Sequence, residues 1–146
     1  VDDLRKNDVA VLSCGGSSRI APWGGLLSTA AKARGSVGCV TDGYVRDIME
    51  IRRLEFPVFA GGVAPLDSKG RGQIMSTDVP VICDGVRICP GDLVVGNADG
   101  VVVVPQEHEL NVMAKTLEKH IGEDNSINEL RAGNYLRDVF DKYGIL

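Results

Sequence analysis

Apolar residues in the first sixty positions fall into short continuous runs rather than strict alternation. Val9 to Ser13, Val37 to Thr41 and Phe56 to Ala60 each have the length and β-branched content of a strand. Continuous apolar runs of this kind suit strands covered on both faces, as in parallel sheets. Between the first two lies Gly25 to Arg34, rich in Ala, Leu, Lys and Arg and stopped by Gly35, which predicts a helix. A shorter helical pattern, Ile48 to Leu54, separates the second run from the third. The order β-α-β-α-β predicts parallel pairing through right-handed crossovers.

The pattern then changes. Val79 to Cys83, Val86 to Cys89, Leu93 to Gly96 and Val101 to Val104 are short runs split by Asp84-Gly85, Pro90-Gly91-Asp92 and Ala98-Asp99-Gly100. Such spacing predicts tight antiparallel turns, in which Asp92 and Asp99 serve local backbone hydrogen bonds. Gln106 to His120 has the pattern of an amphipathic helix, and Ser126 to Tyr143 predicts two further short helical pieces around Gly133. The expected fold is therefore α/β: a mixed sheet with a parallel βαβαβ half, a short-stranded antiparallel half and C-terminal helices, all in one domain over residues 1–146.

Composition narrows the function. A net charge of −4 without a Lys/Arg cluster argues against a general nucleic-acid surface. The longest apolar stretch of the strand region, Val101 to Val104, is far too short to span a bilayer, and no signal peptide is visible, so a cytoplasmic location is expected. Cys14, Cys39, Cys83 and Cys89 show no C-x-x-C spacing and read as free thiols. His108 and His120 have no second ligand at metal spacing.

The candidate chemistry sits where the second strand hands over to its helix, in Asp42-Gly43-Tyr44-Val45-Arg46-Asp47. Loops beyond the carboxyl ends of parallel strands are the usual ligand positions of α/β proteins. Arg46 offers a planar fork for a carboxylate, and Asp47 offers hard oxygens for a divalent cation. The structural alternative is a glycine turn, an Asp in a helix's first turn and a solvated Arg. Upstream, Gly24, Gly25, Leu26 and Leu27 open the first helix, and their amides would form an anion cradle. Close packing of a Gly-rich turn is the alternative there. Asp67, Lys69 and Arg71 form a polar Gly-rich loop suited either to closing over a site or to simple connection.

Three segments together resemble the RraA-like family: WGGLLSTAAKARG, the Thr41 to Asp47 loop, and the block from Pro90-Gly91-Asp92 to Val104-Pro105. Phe56 to Ala60 and Ala64 to Gly72 resemble it as well, so the likeness covers nearly the whole chain. The family contains regulators of RNase E activity and class II pyruvate aldolases acting on 4-hydroxy-4-methyl-2-oxoglutarate, and was long labelled demethylmenaquinone methyltransferase. The resemblance implies a swivelling β/β/α-type domain and a homo-oligomer, a trimer or hexamer; the charge and hydropathy already argue against direct nucleic-acid or membrane contact. It implies a carbon–carbon lyase for small 2-oxo acids, of aldolase or oxaloacetate decarboxylase type. In that activity Mg²⁺ or Mn²⁺ on Asp47 would stabilise the enolate, and Arg46 with the amides of Leu26 and Leu27 would hold substrate. A C-terminal glutamate from a neighbouring subunit would approach the metal waters, and Glu123 is the nearer candidate by position. The alternative within the same family is a non-catalytic regulator that binds and inhibits a protein such as a ribonuclease.

The sequence departs from the aldolase pattern at one place. Aldolase members carry an acidic residue, twenty residues, then Arg-Asp; counting back from Arg46, the acidic position is Gly25. Restoring it as Gly25→Asp is expected to strengthen metal dependence. Fewer residues precede Val9 than the family pattern has, so part of its N-terminal region is expected to be lacking.

Overall fold

The computed structural model describes residues 1–144 and divides into two units, Val1–Val103 and Val104–Leu146. In the first unit β1 (Val9–Leu12), β2 (Gly38–Val45) and β3 (Val58–Val63) form a parallel sheet in the order β1-β2-β3. Helix α1 (Gly25–Ala33) connects the first pair and α2 (Ile48–Arg53) the second. The predicted βαβαβ half is thus present. Its core is Ala10, Trp23, Ala31, Cys39, Val45, Ile51 and Phe56. Helix α1 buries Gly25, Ser28 and Ala31, one residue per turn, so small side chains let it lie close to its neighbours. Trp23 fills the remaining space, its ring stacked on Phe56 with centroids 6.4 Å apart.

Two strands run further than the sequence suggested. The apolar run predicts an end at Thr41, but β2 continues to Val45; β3 passes through Gly61-Gly62 to Val63 instead of ending there. The reason is a bulge: pairing slips between Thr41 and Tyr44 and resumes as Tyr44 opposite Gly62. A Cβ at Gly61 would lie 2.8 Å from the Asp42 carbonyl oxygen, and one at Gly62 would lie 2.7 Å from the Tyr44 ring. These glycines are close-approach positions, not a turn. Asp42 itself ties down the loop after β1, accepting hydrogen bonds from the amides of Cys14 (2.5 Å) and Gly16 (3.0 Å).

The predicted short strands pair as hairpins. In the first, β4 (Val81–Cys83) runs antiparallel to β5 (Val86–Ile88), with Val81 opposite Ile88. Asp84 and Gly85 both have positive φ (47° and 79°), the turn geometry that follows the twist of the strands. In the second, β6 (Leu93–Asn97) pairs with β7 (Gly100–Val104) across Ala98-Asp99. The lack of a side chain at Gly96 admits the Phe59 ring, which would lie 2.6 Å from a Cβ there. Asp92 and Asp99 serve these turns: Asp92 accepts from the Cys89 amide (2.8 Å), and Asp99 bonds Asn97 through its amide (2.9 Å).

The second unit is helical. After a 3₁₀ turn at Gln106–His108, α3 runs unbroken over Glu109–Arg131 and is followed by α4 (Leu136–Tyr143). The sequence suggested that the first helix stops at His120 and another begins at Ser126. Instead the intervening Gly122 is absorbed, since a helical glycine costs only about 1 kcal/mol and no proline intervenes. Ser126 Oγ donates to the Gly122 carbonyl (3.1 Å). The break comes at Gly133, with φ 94°. Beyond it, Glu129 accepts hydrogen bonds from Lys142, Tyr143 and Asn134 and ties α4 to α3.

All four cysteines are free. Burial pushes the Cys39 thiol well above its ordinary range; Cys83 is raised by burial and then by the Asp42 carboxylate. No described helix is long and apolar enough to cross a membrane.

Candidate functional site

The site is assembled where β2 ends. Segment 21–23 lies alongside, with Trp23 bridged to Val45 and Ala21 bridged to Asp67. The Arg46 amide donates to the Trp23 carbonyl (3.1 Å), and its guanidinium Nη1 donates to the Ala21 carbonyl (2.5 Å). Trp23 is fixed in turn, its indole Nε1 donating to the Ser28 hydroxyl (2.8 Å) inside the core. The arginine is thus held by main chain on one side, leaving the rest of its fork for another partner.

Asp47 stands at the N-cap of α2 but in the left-handed region, φ 59° and ψ 36°, and makes no cap hydrogen bond. Its carboxylate turns instead to α1, where Oδ2 accepts from the Gly25 amide (3.0 Å) and lies 3.7 Å from Arg46 Nε. A carboxylate at the positive end of a helix is favourable. The predicted anion cradle therefore already receives one internal anion, through Gly25. Leu26 follows in the first turn, where amides have no partner within the helix. Gly24, with φ −168°, is a matter of space: a Cβ there would lie 2.8 Å from Asp47 Oδ2 and 2.9 Å from Arg46 Cγ.

An open depression of about 870 Å³ lies against this junction, lined among others by Gly25, Leu26, Thr29, Arg46, Asp47, Glu50 and Arg53. The structure brings Arg46, Asp47, Gly25 and Leu26 around one space. Gly24 is buried behind it, and Leu27 packs against the core. Glu50 and Arg53, the third and last residues of α2, were not singled out from the sequence. They form an exposed ion pair at 3.5 Å. Asp67 pairs with Arg71 at 2.7 Å in an exposed loop, and Lys69 is exposed there too. Glu123 belongs to α3 in the second unit, where it pairs with Lys119 at 3.3 Å.

A divalent cation can be tested against these residues. Mg²⁺ commonly takes one or two protein carboxylates and keeps several waters. Asp47 suits that pattern: Oδ2 is steadied by Gly25, while Oδ1 makes no hydrogen bond or ion pair with a described residue. Among the described residues no three His, Cys, Asp or Glu side chains form a metal cage. The donor set fits a water-rich site and no other kind.

Comparison with known proteins agrees with this architecture. A protein of Halalkalibacterium halodurans, provisionally named 4-hydroxy-4-methyl-2-oxoglutarate aldolase, is 41% identical over 117 residues, 80% of this chain and 55% of that protein. The chain thus spans a little over half the length of that relative. A crystal structure from Pseudomonas syringae pv. tomato, of an uncharacterized protein, superposes with a TM-score of 0.92 at 32% identity, covering 95% of this chain and 70% of that one. Streptomyces coelicolor RraAS2, described as an unusual member of the RNase ES inhibitor RraA protein family, gives a TM-score of 0.80 at 31% identity over 88% of this chain and 65% of its own. The Aldolase/RraA family model matches residues 1–103, and the chain belongs to the RraA-like family.

Proposed function

We propose that the chain is part of a divalent-metal-dependent carbon–carbon lyase acting on small 2-oxo acids, of the 4-hydroxy-4-methyl-2-oxoglutarate aldolase or oxaloacetate decarboxylase type. One observation carries the reading: Arg46 and Asp47 are locked side by side at the mouth of an open depression, each by a separate contact with the α1 junction. Arg46 pairs with the substrate carboxylate through the part of its fork that Ala21 leaves open. The unpaired amide of Leu26 presents a partial positive charge beside it. Asp47 would hold Mg²⁺ or Mn²⁺ through its carboxylate. When bound, the cation supplies Lewis-acid polarisation of the 2-oxo group. Leu26, Met49 and Val63 add exposed apolar side chains to the lining of the depression. The family resemblance implies that the working form is a homo-oligomer, a trimer or hexamer, in which Glu123 of a neighbouring copy is a candidate to approach the cation's waters.

The second reading, a regulator that binds a protein partner without chemistry, is favoured by one specific feature, the absence of a side chain at Gly25. Pyruvate release from 4-hydroxy-4-methyl-2-oxoglutarate and from oxaloacetate, measured with and without Mg²⁺, separates the two. The lyase reading expects metal-dependent release, abolished in Asp47→Ala. Arg46→Ala is expected to lower kcat/KM at least tenfold, mainly through KM, because it removes a charge-assisted carboxylate contact. No release under any condition would leave the regulator.

A further inference from the structure

We infer that Glu50 takes the place of the carboxylate missing at position 25 and orders the waters of the cation held by Asp47. The inference rests on the metal-dependent reading above. It begins from space. A Cβ built on Gly25 would lie 3.3 Å from Asp47 Cβ, 3.3 Å from Glu50 Cγ and 3.4 Å from Glu50 Cβ. The Glu50 stem therefore stands in tight contact with the place where a side chain at 25 would start, and Glu50 lines the same depression as Asp47. Two carboxylate-bearing side chains cannot both take that position without one moving.

The ordinary explanation for this glutamate is a helix cap. Asp47 is the N-cap of α2 and Glu50 is its third residue, the arrangement in which each side chain would satisfy the other's amide. The structure does not use it: α2 has no side-chain cap hydrogen bond, Asp47 is left-handed, and its carboxylate belongs to α1. Its remaining structural roles are small: it is the first-turn carboxylate of a six-residue helix, and it pairs with Arg53 at 3.5 Å, a contact in which both side chains are more than half exposed and which contributes little. Glu50 is thus a carboxylate-bearing residue beside Asp47 whose structural contribution to the helix is modest. A carboxylate one water removed from a cation is what a single-aspartate site lacks, and partners of this kind typically change metal affinity about 10–100-fold.

Mn²⁺ binding, followed by electron paramagnetic resonance of the free ion, tests this without relying on turnover. Glu50→Gln keeps the stem and removes the charge; it is expected to weaken Mn²⁺ binding about tenfold. Gly25→Asp alone, which the sequence pattern expects to strengthen metal dependence, is here expected to gain little, because the Glu50 stem crowds the new side chain. Gly25→Asp combined with Glu50→Ala is expected to recover most of the wild-type affinity, since one carboxylate then replaces the other. Circular dichroism identifies any variant that fails to fold. Glu50→Gln binding Mn²⁺ as wild type does overturns the inference, whatever the activity. Wild type that binds Mn²⁺ with the Glu50 dependence but releases no pyruvate overturns the lyase reading and leaves this inference standing. Wild type that binds no Mn²⁺ overturns both.

Discussion

The parallel half of the first unit and its two hairpins draw on the same strand-forming residues and treat them differently. Of the eleven buried apolar side chains among the described residues, eight lie between Ala10 and Phe56. In β2, five of eight positions are buried; in β5 only Ile88 is, and in β6 none is. Val79, Ile82, Val86, Val95 and Val102 are all exposed. The difference follows from connection. A parallel pair needs a long crossover, and here each crossover is a helix that returns to cover the sheet. A hairpin closes with two residues and brings no cover with it, and a two-stranded ribbon is marginal by itself. The catalytic candidates stand on the covered half. Arg46 and Asp47 take their positions from β2, Trp23 and α1, which contribute buried residues to the unit.

Removing the centre of that half should produce the largest effect. Trp23→Ala deletes a side chain that is 1% exposed, its stacking on Phe56 and its hydrogen bond to Ser28. A loss of about 3–5 kcal/mol is expected, a large part of the stability of a domain this size. Ile82→Ala in the β4–β5 hairpin, at a position 54% exposed, is expected to cost no more than about 0.5 kcal/mol. Urea unfolding of both variants measures the contrast; equal losses would show that the hairpin carries as much of the fold as the parallel half.

A smaller and more local effect is expected at Gly24. Alanine there meets Asp47 Oδ2 at 2.8 Å and Arg46 Cγ at 2.9 Å, so the two functional side chains must move apart. Overpacking of this kind costs about 1–3 kcal/mol. Gly72→Ala is the matched control, since a Cβ there meets only the end of Ile20, at 3.4 Å. Stability by urea, together with Mn²⁺ affinity, should fall in Gly24→Ala and hold within about 0.5 kcal/mol and twofold in Gly72→Ala. An unchanged Gly24→Ala would mean that the Arg46–Asp47 geometry tolerates displacement.

What was legible in the sequence tracks the same contrast. The covered strands wrote continuous apolar runs, so the βαβαβ order, α1 and α2 could be read directly. The extension of β2 through Asp42-Gly43 could not, because a bulge fitted by glycines looks like a turn when its partner strand is unknown. Arg46 and Asp47 stood out as a guanidinium beside a carboxylate at a strand end. Glu50 did not, because its significance lies in the empty Cβ position of Gly25, twenty-five residues away and visible only in three dimensions. The run from Glu109 to Arg131 was misjudged at Gly122 for a local reason: glycine without a following proline weakens a helix without ending it.

The smallest effect belongs to the second unit, where polar contacts rather than a packed sheet secure the last helix. Hydrogen bonds from Lys142 and then Tyr143 hold the Glu129 carboxyl below its ordinary value of 4.5, and the same carboxylate raises Lys142 above 10.5. The signs fix the window. A depressed carboxyl contributes stability that is present above about pH 4.5 and lost as pH falls through its lower folded value; a raised lysine contributes below pH 10.5 and loses this as pH rises further. The tie between α3 and α4 is therefore constant from pH 5 to 10. Because these groups reach solvent, its contribution is that of a surface network and is screened by salt. Carboxyl-carbon NMR should place the Glu129 midpoint below 4.5, and amide protection in Leu136–Tyr143 should fall through the same range. In Glu129→Gln that acid step should vanish while the Trp23 core, which contains no carboxyl group, keeps its protection. A Glu129 midpoint at or above 4.5 would mean that Lys142 and Tyr143 do not grip the carboxylate in solution, and that α4 is secured by Val139 burial alone.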